Sequence, residues 1–391
     1  MSLFLEFHLI QNFAPSNLNR DHNGAPKDAL FGGQRRARQS SQCWKRAVRD
    51  YFRTTNLVGA DLLGLRTCHL DRVLEDELRT AGLQEPNRFN EIVKLALKSK
   101  KEKGKAEKEE NDTEDKSEPT LSYLLFISAV EVEAVKILIQ EHAKTLVDLA
   151  SKKKLKVSDV PDSLRNDLKA CLARSKAVDV ALFGRMLADH PSANQVAACQ
   201  VAHAISTHRV EREFDYFTAV DDKRNVGETG ADMIGQVEFN SATFYRYAVL
   251  DLRKLLGNLQ GDRELTLAAV QAFTLALARA VPSGKQNSFA AHNLPEFVGV
   301  CLRHAAPMNL ANAFEQPVTA RRDEALSAQS VRELAAYESK LAAVYAAAQD
   351  QWLTLDLSSQ WPAGKGAAQP SLQALAESAQ ALAAQVLPAE A

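Results

Sequence analysis

Leu3, Leu5, Phe7 and Leu9 alternate with Phe4, Glu6, His8 and Ile10 at the start of the chain, and this period of two predicts a strand. The same alternation returns at Thr243, Tyr245, Tyr247 and Val249 against Phe244, Arg246, Ala248 and Leu250, predicting a second sheet strand. The first 55 residues read as strand, long basic loop and helix, and elsewhere too the period is helical. Ser40 or Ser41 can cap a first turn, after which Trp44, Ala47, Val48 and Tyr51 fall at i, i+3, i+4 and i+7. Lys45, Arg49 and Arg53 repeat every four residues and share a second face of the same helix. Residues from about 56 to 181 read as mostly helical, with Leu121 to Ala150 as one long helix. From Val178 to His208 the pattern gives a short apolar segment, a turn at Gly184-Arg185-Met186 and a helix. Helices are also expected over Leu265–Val281, over Asp323–Gln349 and in the Ala-rich end after Ala367.

Breaks in the pattern supply the organisation. Arg209 to Phe244 has two β-prone arms around a polar stretch with Gly227, Gly230 and Gly235, which predicts a protruding hairpin. Residues 98–119 (KSKKEKGKAEKEENDTEDKSEP) hold almost no apolar side chain and are expected to be a solvated loop of mixed charge. Strands and helices alternate irregularly, which indicates an α+β fold rather than a doubly wound sheet.

Composition narrows the class. With 391 residues, 46% of them hydrophobic and 25% charged, the chain is long enough for two domains or one elaborated domain with a sizeable core. No apolar run reaches about 18 residues and MSLFLEFHLI has no basic n-region, so no membrane span or signal peptide is expected. Five scattered cysteines suit a reducing cytoplasm. No CxxC or HxxxH spacing marks a metal, and no Walker loop, GxSxG, HExxH or DFG-type motif marks an enzyme. No cofactor and no metal are therefore expected. Asp221 and Asp222, adjacent on a strand, would point to opposite faces and suit one ion poorly.

Charge is where the chain departs from the ordinary. Between Arg20 and Arg53 stand nine Lys or Arg and three Asp, a local +6 in a protein of formal charge −1. Such a concentration suggests an anionic partner, most often phosphate. A capped helix with a basic face, beside the Gly32-Gly33 pair and a Ser/Gln run, can follow phosphates by charge, side-chain bonds and backbone N–H groups. A merely solvated basic face is the alternative.

The run LNRDHNGAPKDALFGGQRRARQSSQCWKRAVR, from Leu18 to Arg49, resembles the N-terminal signature of the CasC family, the backbone subunit of type I-E CRISPR Cascade complexes. Three further runs resemble the same family in the same order: Ala202 to Asp222, Val237 to Leu252, and Leu310 to Val318. The resemblance implies a hand: an RRM-like (ferredoxin-like) palm, helical fingers and a β-hairpin thumb. Palm would be 1–59, 182–208 and 244–391 with the C-terminal helices, fingers 60–181, and thumb 209–243.

It also implies a role. Copies would assemble head to tail along the spacer of a CRISPR RNA beside other Cascade subunits, holding phosphates and leaving bases free to pair with target DNA. Arg20, Lys27, Ser40, Gln42, Lys45, Arg46 and Arg49 fall in the implied RNA-binding stretch, Arg49 standing where lysine is expected and Gln34 where a basic residue is. Thr218 and Ile234 match thumb positions flanking a displaced nucleotide, and Met186 matches a residue near a base. Phe214 and Phe217 would support the hairpin or stack on a base. The family does not cut RNA, so a non-catalytic protein is expected. Two alternatives stay open: a metal-dependent endoribonuclease of a related backbone type using Asp28, and a protein-only structural oligomer.

Overall fold

The computed structural model describes residues 3–97, 124–173, 175–186, 194–219 and 233–389. The expected loop at 98–119, the Asp221-Asp222 pair, Gly227 and Gly230 lie outside these residues. The fold is α+β, and its chain divides into two compact units.

Along the chain come β1 (Phe4–Ser16), β2 (Asp28–Phe31), β3 (Gln34–Gln39) and α1 (Ser41–Thr55). There follow β4 (Leu65–Thr67), α2 (Leu70–Val73), α3 (Glu75–Thr80), α4 (Arg88–Leu97), β5 (Leu125–Ile127), α5 (Ala129–Glu141), α6 (Ala143–Ala150), α7 (Asp162–Cys171) and α8 (Val178–Phe183). The remainder is β6 (Cys199–Val201), β7 (Ala204–Ser206), β8 (Glu213–Ala219), β9 (Met233–Asp251), α9 (Leu252–Asn258), α10 (Arg263–Arg279), α11 (Gln286–Phe289), β10 (Phe297–Arg303), α12 (Leu326–Tyr345), β11 (Gln351–Asp356), β12 (Ala367–Ala368) and α13 (Leu372–Val386).

One unit comprises residues 1–57, 199–253 and 263–391. Its sheet runs β12-β11-β10-β1-β9-β7-β3-β2, with β6 and β8 also pairing with β9. The alternation of β1 sorts its two faces. Phe13 packs with Trp44 of α1 and Phe244, and Phe7 meets Phe273 of α10 edge-on at 5.2 Å. On the opposite face Ile10 joins Tyr245, Phe297, Val331 and Trp352. Glu6 and His8 are also fully buried there. Tyr247 Oη donates to Glu6 at 2.8 Å and Arg303 Nε at 2.6 Å, so a charged pair is embedded among aromatics. Burial pushes the Glu6 carboxyl up, but its bonds to His8 and the charge of Arg303 leave it below the usual carboxylate range.

The other unit comprises 58–198 and 254–262, so 182–186 and 194–198, placed with the palm by sequence, cluster with the helices. Leu74, Phe89, Ile92, Val135, Leu138 and Leu168 close its core. A capping box, Ser128 with Glu131, starts α5.

Four sequence expectations are corrected. The expected basic loop after β1 contains the β2–β3 hairpin, turned by Gly32 and Gly33 at φ +57° and +72°. β2 has only four residues and β3 is almost wholly polar, so no period of two in hydrophobicity announces them. Of the single helix expected over 121–150, the described part from 124 is a strand, β5, and two helices, because Ser128 caps a new start and His142 separates α5 from α6. The helix expected before His208 is replaced at 199–206 by β6 and β7, which satisfy their backbones on the long strand β9. On α1 the buried stripe is Trp44, Ala47, Val48 and Phe52, with Arg49 buried as well. Tyr51 is only half-buried, since the packed face is centred on the i, i+4, i+8 row Trp44-Val48-Phe52.

Candidate nucleic-acid interface

Helix α1 starts where a polar loop is tied to it. The Ser40 hydroxyl accepts from Cys43 N–H at 3.4 Å, and Ser40 N–H donates to Asn19 Oδ1 at 2.8 Å. Lys27 N–H donates to the Asn19 carbonyl at 2.9 Å, and Arg20 bridges Pro26. Within the loop the Asp21 carboxylate accepts from the backbones of Asn23 and Ala25 at 2.8 and 3.0 Å, an Asx turn. Asn17 Nδ2 holds the Gly24 carbonyl at 2.9 Å. Residues 19–27 are thus pinned against the first turn of the helix.

Beside this loop lies an open cleft of about 660 Å³, lined by Arg20, His22, Arg46, Asp50, Tyr51 and the 280–284 segment among others. Arg20, Gln42 and Arg46 are exposed, and Lys27 and Lys45 half-buried. Arg46 is 3.5 Å from Asp50 in an exposed i, i+4 pair, which neutralises it weakly. Cys43, on the cleft wall, has its thiol pushed up to about 11 by burial, opposed by the charges of Lys27 and Arg46, so it is a poor nucleophile.

Not every charge in the basic block faces outward. Arg36 is fully buried and donates to the carbonyls of Ser206, Phe314 and Glu315 at 3.0, 2.8 and 3.2 Å. It ties three of the sequence runs together from the inside. Arg49 is 8% exposed, so Lys45, Arg49 and Arg53 do not form one open stripe. Asp28 is clasped by Arg35 and by Arg212, the latter at 3.0 Å, and Arg212 also reaches Glu238 at 3.1 Å. A carboxylate held by two guanidinium groups has little charge left for a metal ion. Among the described residues, no group of three or more His, Cys, Asp or Glu is placed to hold a metal ion.

What fixes α1 on the sheet is a buried cation. Arg246 of β9 lies over the Trp44 ring, 3.4 Å from its centroid, and donates to Gln11 Oε1 at 2.6 Å and the Leu277 carbonyl at 2.7 Å. Burial lowers its pKa to about 9.

Thr218 and Ile234 face each other directly in the β8–β9 register. Phe214, Tyr216 and Phe217 are exposed, and the Phe217 ring lies across Gly235 where a Cβ would collide with it. These aromatics lie on the hairpin's own surface and are not core. Met186 belongs to the other unit and is 81% exposed. Gly184 caps α8 at φ +80°, and buried Arg185 donates to the Phe126 carbonyl at 2.9 Å and Glu131 at 2.8 Å, which holds the base of that turn. The structure thus brings Arg20, Lys27, Ser40, Gln42, Lys45 and Arg46 together around the start of α1, and Thr218 with Ile234 on the hairpin. Sequence reading missed Arg212 and Arg246, each of which has a partner far away near the start of the chain, Asp28 and Gln11 respectively.

A family model for CT1975-like proteins matches residues 5–382. The chain belongs to the CT1975-like family. Two solved structures carry chains similar to it over nearly its whole length. One, titled a CRISPR RNA-guided surveillance complex, pre-nicking, is 31% identical, covers 97% of this chain and 100% of its own, and superimposes with a TM-score of 0.81. The other, titled a CRISPR RNA-guided surveillance complex, is 26% identical over 97% of this chain and 99% of its own, with a TM-score of 0.71. Among curated proteins none matches the sequence. No helix among the described residues is long and apolar enough to cross a membrane.

Proposed function

We propose that this chain is a non-catalytic backbone subunit of a type I-E Cascade complex that binds CRISPR RNA. Its copies assemble head to tail along the guide, beside other Cascade subunits, in the cytoplasm. Arg20, Lys27, Gln42, Lys45 and Arg46 hold spacer phosphates around the capped start of α1, where charge, side-chain donors and helix N–H groups converge. Arg49, being buried, supports α1 rather than meeting RNA broadside. The bases stay free to pair with target DNA, so sequence is read by pairing and not by protein. The β8–β9 hairpin is the thumb, with Thr218 and Ile234 as its wedge, and Met186 lies near a base.

The observation that carries this reading is the full-length likeness to a chain of an RNA-guided surveillance complex, together with the cationic loop pinned to the α1 N-terminus. The endoribonuclease alternative is disfavoured by Asp28, which is already spent on Arg35 and Arg212. A binding titration separates the readings. Lys45→Ala and Arg46→Ala should weaken binding of single-stranded RNA and each lower its salt slope by about 0.7. With Mg²⁺ present the RNA should stay intact. Cutting at a regular spacing, lost in Asp28→Ala, would establish the nuclease instead.

A further inference from the structure

The β2–β3 register sets up a feature that no hydrophobic pattern announces. Asp28 pairs with Ala37, and Arg38 N–H donates to the Lys27 carbonyl at 2.9 Å, so Lys27 and Arg38 stand opposite each other. On its other side Arg38 pairs with Ile205. His203 lies two residues from Ile205 and so falls on the same face. Arg38 Nη1 is 2.9 Å from His203 Nδ1, while its Nε holds the Asp28 carbonyl at 3.1 Å. Three groups from three neighbouring segments thus form a row across the edge of the sheet.

The row differs from the cations around it. Arg35, Arg46, Arg209 and Arg212 each pair with a carboxylate. Lys27, Arg38 and His203 form no ion pair among the described residues, and the nearby Asp28 carboxylate is turned to Arg35 and Arg212. His203 is exposed and the other two are half-buried, so all three can be reached. Like charges gathered without a counter-ion repel, and an arriving anion relieves that cost.

We propose that Lys27, Arg38 and His203 form a phosphate-binding row for single-stranded RNA, one that makes the contact sensitive to pH. The proposal rests on the RNA-binding function above. It favours RNA over an acidic protein because β3 leads from Arg38 into Ser40 and the start of α1, so the row continues the same interface. A guanidinium only donates, so His203 Nδ1 accepts and the neutral ring carries its proton on Nε2 as a free-standing donor. Burial first, then the charges of Arg38 and Lys27, hold the His203 pKa below its usual value. These are the charged groups that face it, from β3 and from the segment before β2. A bound phosphate raises that pKa, so binding takes up a proton, and affinity rises as pH falls from about 7.5 to about 5.5.

The test is fluorescence anisotropy of the full chain with a labelled, unstructured single-stranded RNA across pH and salt, with melting temperatures as a control for folding. Arg38→Gln should weaken binding and lower the salt slope by about 0.7. His203→Gln should flatten the rise in affinity at acid pH, and His203→Arg should bind well at every pH without that rise. An unchanged slope in Arg38→Gln and an unchanged pH profile in His203→Gln would overturn the row while leaving the proposed function standing. If these variants bind RNA normally but lose self-association, the row meets an acidic surface of a second copy and the RNA assignment is wrong. If the wild-type chain binds no RNA at any pH, the row and the function fall together.

Discussion

Two arginines ten positions apart show how much of this protein is decided residue by residue. Arg36 and Arg46 add equally to the sequence's basic block, yet Arg36 is buried against three carbonyls and Arg46 stands in water beside Asp50. Replacing Arg36 by methionine leaves those carbonyls without their donor in a buried site, at about 1–3 kcal/mol for each group left unsatisfied. Arg36→Met should therefore lower stability to urea by at least about 2 kcal/mol. Arg46→Ala should leave stability within about 0.5 kcal/mol and act on RNA binding alone, weakening it and lowering its salt slope. A destabilised Arg46→Ala, or a neutral Arg36→Met, would reverse the roles assigned to them. Net charge was legible in the sequence, but which charges point outward was not, because burial depends on register and packing.

Elements show the same limit and give sharper tests. The alternation in β1 and β9 was legible because each face buries apolar side chains, whereas in the β2–β3 hairpin β2 is only DALF and β3 reads QRRARQ, which hides its period. Its turn makes a graded prediction. Gly32 and Gly33 both have positive φ, but a Cβ at Gly32 would collide with the Glu315 carbonyl while one at Gly33 meets nothing within 4 Å. Gly33→Ala should cost about 1–2 kcal/mol from backbone strain alone, and Gly32→Ala distinctly more, as chemical denaturation would show. The root of the β8–β9 hairpin is closed by His208, whose Nδ1 faces the Arg209 carbonyl at 2.8 Å and whose Nε2 accepts from Thr243 N–H at 3.2 Å. Burial, and secondarily the charge of Arg36, lowers its pKa despite the Arg209 carbonyl. The unfolded chain then binds the proton more readily than the folded one. This contribution to stability is complete above the ordinary histidine value of about 6.5 and declines as pH falls below it. His208→Gln, whose amide can accept from Thr243 and donate to Arg209 without titrating, should flatten the stability profile between about pH 7.5 and 5. Equal loss of stability over that range in wild type and variant would remove His208 as the cause.

At the scale of the whole molecule, the chain divides into a unit built on the large sheet and a mostly helical unit. The sheet unit contains the loop, helix and hairpin that sequence runs picked out, and the helical unit carries Met186 on a turn held by Arg185. Four stretches far apart in sequence meet through Arg36 and the β9 ladder, which is why similarity over the full length, and not over one motif, accompanies this surface. The cleft beside α1 is open, with Arg20 and Arg46 on its wall beside Asp21 and Asp50, and it lies between the helix, the loop before it and the 280–284 segment. The proposed function requires that copies of this chain line a guide RNA. The most direct measurement is extraction and sequencing of RNA from the natively purified complex after nuclease treatment. Short protected RNA of defined length with a shared repeat-derived end is the predicted result, and that length would give the number of copies. A nuclease-treated complex that is intact but carries no RNA, with the absorbance ratio of protein alone, would contradict it.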